Sequence, residues 1–189
     1  TGFRCIAPPV AFEYNTLIGN GSGTGITFHG GSCLGSGTFK YNLIYGYSTG
    51  IRGTGNKSAS LTLHYNSFIN NTPNNLTVGE GTGQVDATNN WWGVATSDGI
   101  EATIVHNADD FRLSTVDFDP FLTTPSTSAP ISPPQNVAAQ TGPTSIAFSW
   151  TANPESDIAG YKVHYDTDAA GYPYANSTNA GSVTSYTLS

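Results

Sequence analysis

Apolar and polar residues alternate in a short block that occurs four times in the first half of the chain. Each block reads apolar, polar, Tyr or Asn, Asn, any residue, apolar, and the blocks begin at Phe12, Phe39, Leu63 and Ala87. Alternation with a period of two is typical of β-strands, whose successive side chains point to opposite faces. The blocks lack the spacing of an amphipathic helix. We therefore predict that this half of the chain is built from short strands.

The blocks also define a sequence repeat. Their fourth position recurs at intervals of 27, 24 and 24 residues, as Asn15, Asn42, Asn66 and Asn90. A second apolar column follows the first three asparagines by 9 to 11 residues, as Ile26, Ile51 and Leu76. Self-similarity at this period indicates a solenoid, in which each coil buries its apolar face against its neighbours. The prediction is three full coils and part of a fourth in residues 1–93.

Stacking of the coils would align equivalent side chains. The apolar columns would fill the interior, and the four asparagines would form a ladder in which each side-chain amide bonds the amide or backbone of the next coil. Such a ladder satisfies polar groups that are buried at a tight corner. Gly and Asn tolerate positive φ, so segments rich in them would form the other corners, as in residues 19–25, 53–58 and 79–83.

Two cysteines occupy nearly equivalent positions on consecutive coils. Cys5 precedes the first ladder asparagine by ten residues and Cys33 precedes the second by nine. Neighbouring strands lie about 4.8 Å apart, within the Cα separation that a disulfide needs. We predict a Cys5–Cys33 disulfide, which would imply an oxidising compartment. Two buried free thiols are the alternative.

The repeats resemble the right-handed parallel β-helix family, which includes pectate-lyase-like and related surface-protein solenoids. Residues 86–93, with Trp91 and Trp92, resemble the motif that ends the helix in many members, where a short helix and a closing strand follow. Here residues 98–101 read as a capping box ahead of residues 102–105, and residues 116–121 alternate as the closing strand. The resemblance implies an all-β fold for residues 1–122: a short parallel β-helix of about four coils with a C-terminal capping helix and strand, whose core the two tryptophans cap.

The rest of the chain carries a second resemblance. Residues 123–134 are rich in Pro, Ser and Thr, which predicts a stiff, extended linker. Residues 135–189 resemble a fibronectin type III domain, with Trp150 as the core tryptophan and strands at residues 134–137, 145–150, 157–165 and 185–188. The resemblance ends before the last two strands of the family, so we predict an incomplete β-sandwich. We expect the polypeptide to continue past Ser189; strands supplied by another subunit are the alternative.

Composition and charge narrow the range of partners. Charged residues make up 10% of the chain, and the net charge is -7 with six Lys plus Arg. So few cations argue against nucleic acid and anionic membrane surfaces as partners. No apolar run approaches the roughly 18 residues of a membrane-spanning helix. The many Gly, Ser, Thr and Asn residues and the absence of Met are typical of a secreted or cell-surface protein.

Five sequons would accept glycans in a suitable host. They lie at Asn20, Asn56, Asn70, Asn75 and Asn176. The chain begins at Thr1, without Met or a signal peptide, which we interpret as a processed or partial chain.

Candidate catalytic residues follow the first apolar position of each block. The column consists of Glu13, Lys40, His64 and Thr88, which would stack outward on successive coils. A carboxylate, an amine and an imidazole about 5 Å apart could act in acid–base catalysis. We favour the interpretation of a solvated face with complementary neighbours. Arg52 has no Asp cluster beside it, so the constellation of a pectate lyase is not visible.

Other candidate sites are weaker. Calcium could bind the acidic residues around the closing strand, Asp109, Asp110, Asp117 and Asp119, but their spacing matches no known loop and surface charge is favoured, so no cofactor is expected. The histidines, at positions 29, 64, 106 and 164, lack the spacing of a zinc site. Tyr172, Pro173 and Tyr174 form the best stretch for binding a sugar face, with packing inside the second domain as the alternative.

Three functions remain open. We favour a non-enzymatic extracellular structural protein, a self-associating subunit of a surface layer or filament, because the first coil and the incomplete sandwich present strand edges. One alternative is a fragment of a secreted polysaccharide lyase or glycosidase. The other is a carbohydrate-binding or adhesive module. The lack of a visible catalytic constellation sets this order.

Overall fold

The chain forms two compact units, Thr1–Ser132 and Pro133–Ser189. The computed structural model describes residues 10–29, 37–54, 61–81, 83–167, 171 and 173–189. The predicted Cys5–Cys33 disulfide, the sequon at Asn56 and the aromatic Tyr172 lie outside the described residues.

Three coils of parallel strands make up most of the first unit, and each coil contributes one strand to each of three sheets. The first coil consists of β1 (Val10–Glu13), β2 (Thr16–Ile18) and β3 (Thr24–His29). The second consists of β4 (Gly37–Lys40), β5 (Leu43–Tyr45) and β6 (Thr49–Thr54), and the third of β7 (Leu61–His64), β8 (Ser67–Ile69) and β9 (Asn74–Thr77). Equivalent strands pair in register, so that Phe12 lies beside Phe39 and Phe39 beside Leu63. The predicted parallel β-helix is confirmed.

A fourth, interrupted coil follows. It extends the first sheet with β10 (Gln84–Asp86), bridges Trp91 to Ser67 on the second sheet, and adds β11 (Ile104–Val105) to the third. β12 (Thr115–Asp117) then pairs with β10 as a fifth strand of the first sheet. Strand β12 covers only the start of the predicted closing strand, residues 116–121, and the coil that carries Trp92 is followed by further pairing.

The short helix α1 (Ser97–Glu101) differs from its predicted bounds. Its N-cap is Thr96, whose hydroxyl accepts a hydrogen bond from the Gly99 amide at 3.3 Å, so it begins before the predicted capping box. The helix ends at Glu101, and the following β-branched pair Ile104 and Val105 forms β11 instead of a helical turn. Ile100 is fully buried, so the helix closes the end of the core.

The asparagine column forms a continuous ladder at the corner between the first and second sheets. The side-chain amides of Asn15, Asn42 and Asn66 donate to the Oδ1 atom of the next asparagine at 3.1, 2.9 and 2.9 Å. The same Oδ1 atoms accept the backbone N–H of the asparagine one coil earlier at 2.9 to 3.0 Å. Asn42, Asn66 and Asn90 have no exposed surface, so every coil depends on its neighbour for these bonds.

The segment rich in Pro, Ser and Thr packs on the solenoid for most of its length. The boundary between the units falls after Ser132, and Ser126 and Ala129 are buried. The Ser126 amide donates to Ser67 Oγ at 3.0 Å. Ser67 lies in register with Leu43 at the outward positions of the second sheet, and both are almost fully buried. Residues 123–132, here called the strap, therefore cover this face, which shortens the predicted linker.

The second unit contains two antiparallel sheets. One is formed by β13 (Gln135–Thr141), β14 (Ile146–Thr151) and β17 (Ser185–Leu188), and the other by β15 (Tyr161–Tyr165) and β16 (Asn176–Gly181). The predicted core tryptophan, Trp150, packs against Tyr161 with ring centroids 5.1 Å apart. The arrangement confirms the predicted partial sandwich. Strand β16 is an addition to the prediction, because its sequence Asn-Ser-Thr-Asn-Ala-Gly lacks apolar alternation.

Candidate functional site

The candidate catalytic column lies along the outward face of the first sheet. Glu13, Lys40 and His64 are consecutive register partners on β1, β4 and β7. No ion pair joins Glu13 to Lys40 within the described residues. The polar contacts of the column gather instead at His64, where the outward face continues to Asp86 and Thr88.

The cluster of His64, Asp86 and Thr88 lacks the geometry of a nucleophile and its base. His64 Nε2 lies 2.8 Å from Asp86 Oδ1 and 3.2 Å from Thr88 Oγ1, so one ring nitrogen faces both partners. The Thr88 hydroxyl donates to Asp86 Oδ1 at 2.9 Å, which directs its proton away from the imidazole. A hydrolytic triad needs the carboxylate on one ring nitrogen and the nucleophile on the other. The cluster is a surface hydrogen-bond network.

The electrostatics of Asp86 fit this description. Burial raises the pKa of its carboxyl, but hydrogen bonds from His64 and Thr88 outweigh burial and hold the pKa below its ordinary value. Asp86 is thus a carboxylate that its neighbours stabilise, which is the opposite of a general acid.

The four candidate calcium ligands do not share one site. Asp109 accepts the backbone N–H of His106 at 3.0 Å, and Asp110 forms an ion pair with Arg112. The Arg112 side chain lowers the pKa of Asp110 to about 2. Asp117 and Asp119 are exposed on and after β12. Within the described residues, no group of three or more His, Cys, Asp or Glu side chains is arranged to hold a metal ion.

A groove of about 660 Å³ lies on the outward face of the third sheet. Its floor is a register row, Arg52 on β6, Thr77 on β9 and Val105 on β11. The remaining lining residues come from strand ends and the returning loop, and are Thr49, Gly53, Thr54, Asn74, Val78, Gly79, Glu80 and Leu113. A bridge between Glu80 and Leu113 holds that loop as one wall. The volume is that of a ligand site.

The chemistry of the groove is polar and weakly charged. Arg52 is exposed and forms no ion pair within the described part of the chain. The Thr77 hydroxyl is buried without a hydrogen-bond partner there, directly beside Arg52 in the register. Hydroxyl and amide groups of Thr49, Thr54 and Asn74 complete the polar lining. The groups of Thr49, Thr54 and Asn74 can bind a polyhydroxylated ligand, and the Arg52 guanidinium can hold a carboxylate.

A row of three stacked tyrosines runs along the ladder corner. Tyr14 and Tyr41 stack at 4.8 Å, and Tyr41 and Tyr65 at 5.5 Å between ring centroids. All three have φ near +57°, and Asn89 occupies the same left-handed position in the fourth coil. That conformation costs roughly 1–2 kcal/mol for a residue other than glycine. Each of the two stacked pairs stabilises the fold by about 0.5–1.5 kcal/mol. Asn or Gly would fit this corner with less strain, as Asn89 does in the fourth coil.

The sequons differ in exposure. Asn20, Asn70 and Asn176 are exposed. Asn75 is 3% exposed, and its Nδ2 atom donates to the Trp92 carbonyl and the Thr103 hydroxyl at 2.8 and 3.1 Å. A glycan at Asn75 would break these two bonds, because the amide is engaged inside the solenoid.

The candidate aromatic residues also differ in exposure. Trp92 is 1% exposed and stacks on Phe68 at 4.7 Å, and Trp91 is half-buried at the end of the second sheet. These tryptophans belong to the solenoid core and its corner. Tyr174 is 43% exposed in the second unit.

Comparison with known proteins adds one assignment. Residues 132–189 match the family model of the fibronectin type III domain. The match spans all five strands of the second unit. Neither the curated proteins nor the solved structures contain a match to this chain. No helix in the described part of the chain is long and apolar enough to cross a membrane. A β-solenoid followed by a fibronectin type III domain is the make-up of an extracellular or adhesive-type module.

Proposed function

We propose that this protein is a non-enzymatic extracellular adhesive module that binds an extended polysaccharide along the groove over Arg52. The observation that carries the proposal is the open, polar groove on the third sheet, with the Arg52 guanidinium in its floor. Apolar ligands are a poor match because most of the lining is hydroxyl, amide and glycine. A glycan fits this lining and an extended sheet floor.

The residues around the groove support binding more than turnover. Cleavage of a glycan by hydrolysis needs two carboxylates placed across the bond, one as acid and one as nucleophile or base. The only carboxylate among the described lining residues is Glu80, at one wall. Arg52 can neutralise a carboxylate of an acidic sugar, but the lining offers no second carboxylate besides Glu80. The lining therefore favours binding over hydrolysis.

The test measures binding and turnover together. Oligosaccharides with and without uronic acids are titrated into the wild-type protein and Arg52→Ala, and the recovered glycans are sized. We expect saturable binding that weakens at least tenfold in Arg52→Ala, and unchanged glycan length. Lys40→Ala, on the first sheet, is the matched control that should bind normally. Equal binding by Arg52→Ala, or shortened glycans, would contradict the proposal.

A structural role is the second candidate, and the second unit favours it. Within the described residues β15 pairs only with β16, which leaves its other edge open. Beside that edge lies an apolar cleft of about 180 Å³ that includes Phe148, Trp150 and Val163. Open strand edges with apolar faces promote association. Light scattering and electron microscopy would show regular assemblies that Val163→Lys disperses; monomers at all concentrations would exclude this role for the chain.

A further inference from the structure

The tyrosine row, defined as Tyr14, Tyr41 and Tyr65, presents hydroxyls and ring edges to solvent. Tyr14 is 64% exposed and Tyr65 38%, and Tyr41 lies between them. None of the three hydroxyls has a hydrogen-bond partner among the described residues. The facing ring surfaces are already occupied within the stack. A partner that spans the whole row therefore meets ring edges and hydroxyls.

The spacing of the row selects among extended ligands. Its outer rings are two steps apart, of 4.8 and 5.5 Å. A polyproline II helix has three residues per turn and advances about 9.3 Å per turn, within about 1 Å of the two steps taken together. A β-strand repeats after about 6.6–6.8 Å, which matches neither one step nor two. Carbonyl groups one polyproline turn apart can therefore meet Tyr14 and Tyr65 together.

The chemistry of such a ligand fits the row as well. A polyproline II segment has no internal hydrogen bonds, so its carbonyls are free to accept the phenol protons. Proline-rich segments often dock on aromatic surfaces. Such a segment is already extended before it binds, so binding costs it little conformational entropy. Glu13, Lys40 and His64 precede the three tyrosines and give the row a polar rim.

The surface beside the row already holds a proline-rich segment of this chain. Ser67 lies two residues after Tyr65 and accepts the backbone N–H of Ser126 in the strap. Leu122, just before the strap, donates to the Asn90 carbonyl on the ladder corner. The strap thus contacts the solenoid next to the row. It makes no hydrogen bond to the row itself among the described residues, so the row is free to bind another segment.

We propose that the tyrosine row binds a proline-rich segment of a partner protein in the polyproline II conformation. This site is separate from the groove over Arg52, on another face of the solenoid. The bound segment runs parallel to the solenoid axis, with carbonyls on the hydroxyls of Tyr14 and Tyr65 and with its rings against the row.

The test uses an oligoproline peptide of about ten residues and a Gly-Ser peptide of equal length. Binding is followed by calorimetry and by the NMR signals of the tyrosine rings. The main variant replaces Tyr14, Tyr41 and Tyr65 by Asn, since Asn89 adopts the same backbone conformation in the fourth coil. A second variant replaces them by Phe, which keeps the stack and removes the hydroxyls. Tyr174→Asn, an exposed tyrosine of the second unit, is the control.

The expected result is saturable binding of oligoproline alone, weakened at least tenfold by the Asn variant and several-fold by the Phe variant. Tyr174→Asn and Arg52→Ala should bind oligoproline like the wild type. Absence of oligoproline binding, equal binding of the Gly-Ser peptide, or full binding by the Phe variant would overturn the proposal. If the Asn variant does not fold, as judged by circular dichroism, the Phe variant decides the question by itself.

Discussion

The two units differ in how completely they bury their apolar residues. In the solenoid, sixteen side chains from all the coils form one buried cluster, and Phe68, Ile51 and Leu63 have no exposed surface. In the second unit no strand residue is buried, and Phe148 and Trp150 remain partly exposed. The solenoid therefore completes its core from its own coils. The described strands of the second unit leave part of their apolar face open to a further contact.

Matched aromatic deletions should give the largest effect and test the comparison directly. Phe68→Ala removes a fully buried ring stacked on Trp92 and should cost about 3–5 kcal/mol in the free energy of unfolding. Phe148→Ala removes a half-buried ring and should cost about 1 kcal/mol. Denaturant-dependent amide exchange, read separately in each unit, measures both. Equal losses would show that the two cores are alike.

Breaking the ladder should come next in size. Asn66→Ala removes the acceptor of the Asn42 backbone N–H and of one Asn42 side-chain N–H, and it removes the side-chain donor to the Phe39 carbonyl, all in a buried corner. Buried polar groups left unpaired cost about 1–3 kcal/mol each, so the solenoid should lose about 3 kcal/mol. Chemical denaturation provides the measurement, with the exposed Asn20→Ala as control. A loss below about 1 kcal/mol in the free energy of unfolding would mean that water molecules replace the hydrogen bonds of the missing side chain.

Loss of the contact between the strap and the solenoid should have a smaller effect. Ser67→Ala removes the acceptor of the Ser126 amide and should cost about 1 kcal/mol. Residues 123–132 should also become cleavable by protease at lower enzyme concentration. The matched control is Ser48→Ala, whose hydroxyl makes an exposed bond to the Gly23 carbonyl. If cleavage of the strap is as fast in the wild type as in Ser67→Ala, the segment behaves as a free linker.

The smallest effect concerns acid pH. The Arg112 side chain lowers the pKa of Asp110 from its ordinary value to about 2, so the pair contributes stability that is complete above about pH 4. That contribution should fade as the pH falls toward 2, and Arg112→Ala should remove the fading together with the pKa shift. NMR titration of the Asp110 carboxyl checks both. An unchanged Asp110 pKa in Arg112→Ala would show that the backbone hydrogen bond alone sets it.

Local pattern was sufficient to predict the features that repeat. The period of Asn15, Asn42, Asn66 and Asn90 predicted the coils, and strand geometry then placed their amides within reach of one another. The strands around Trp150 were predicted from their resemblance to the fibronectin type III family. These features depend on a strand spacing that hardly varies among proteins.

The features that escaped prediction depend on contacts between distant segments. The groove is walled by a loop that returns to Glu80 through Leu113, which no local pattern indicates. Strand β11 has two residues and is fixed by pairing with β9, 28 residues earlier. Nothing in the sequence around Ser67 indicated that the strap would lie over it. The tyrosine row was visible as the third position of each block, but the left-handed backbone that exposes it was not.

The proposed function is tested most directly by mapping where a glycan binds. An acidic oligosaccharide is titrated into the protein while amide and side-chain NMR signals are recorded for both units. The account predicts shifts that cluster on β6, β9 and β11, with the Arg52 guanidinium among the most affected groups and the signals around His64 unchanged. Shifts centred on the first sheet or on the second unit, with Arg52 unaffected, would contradict it.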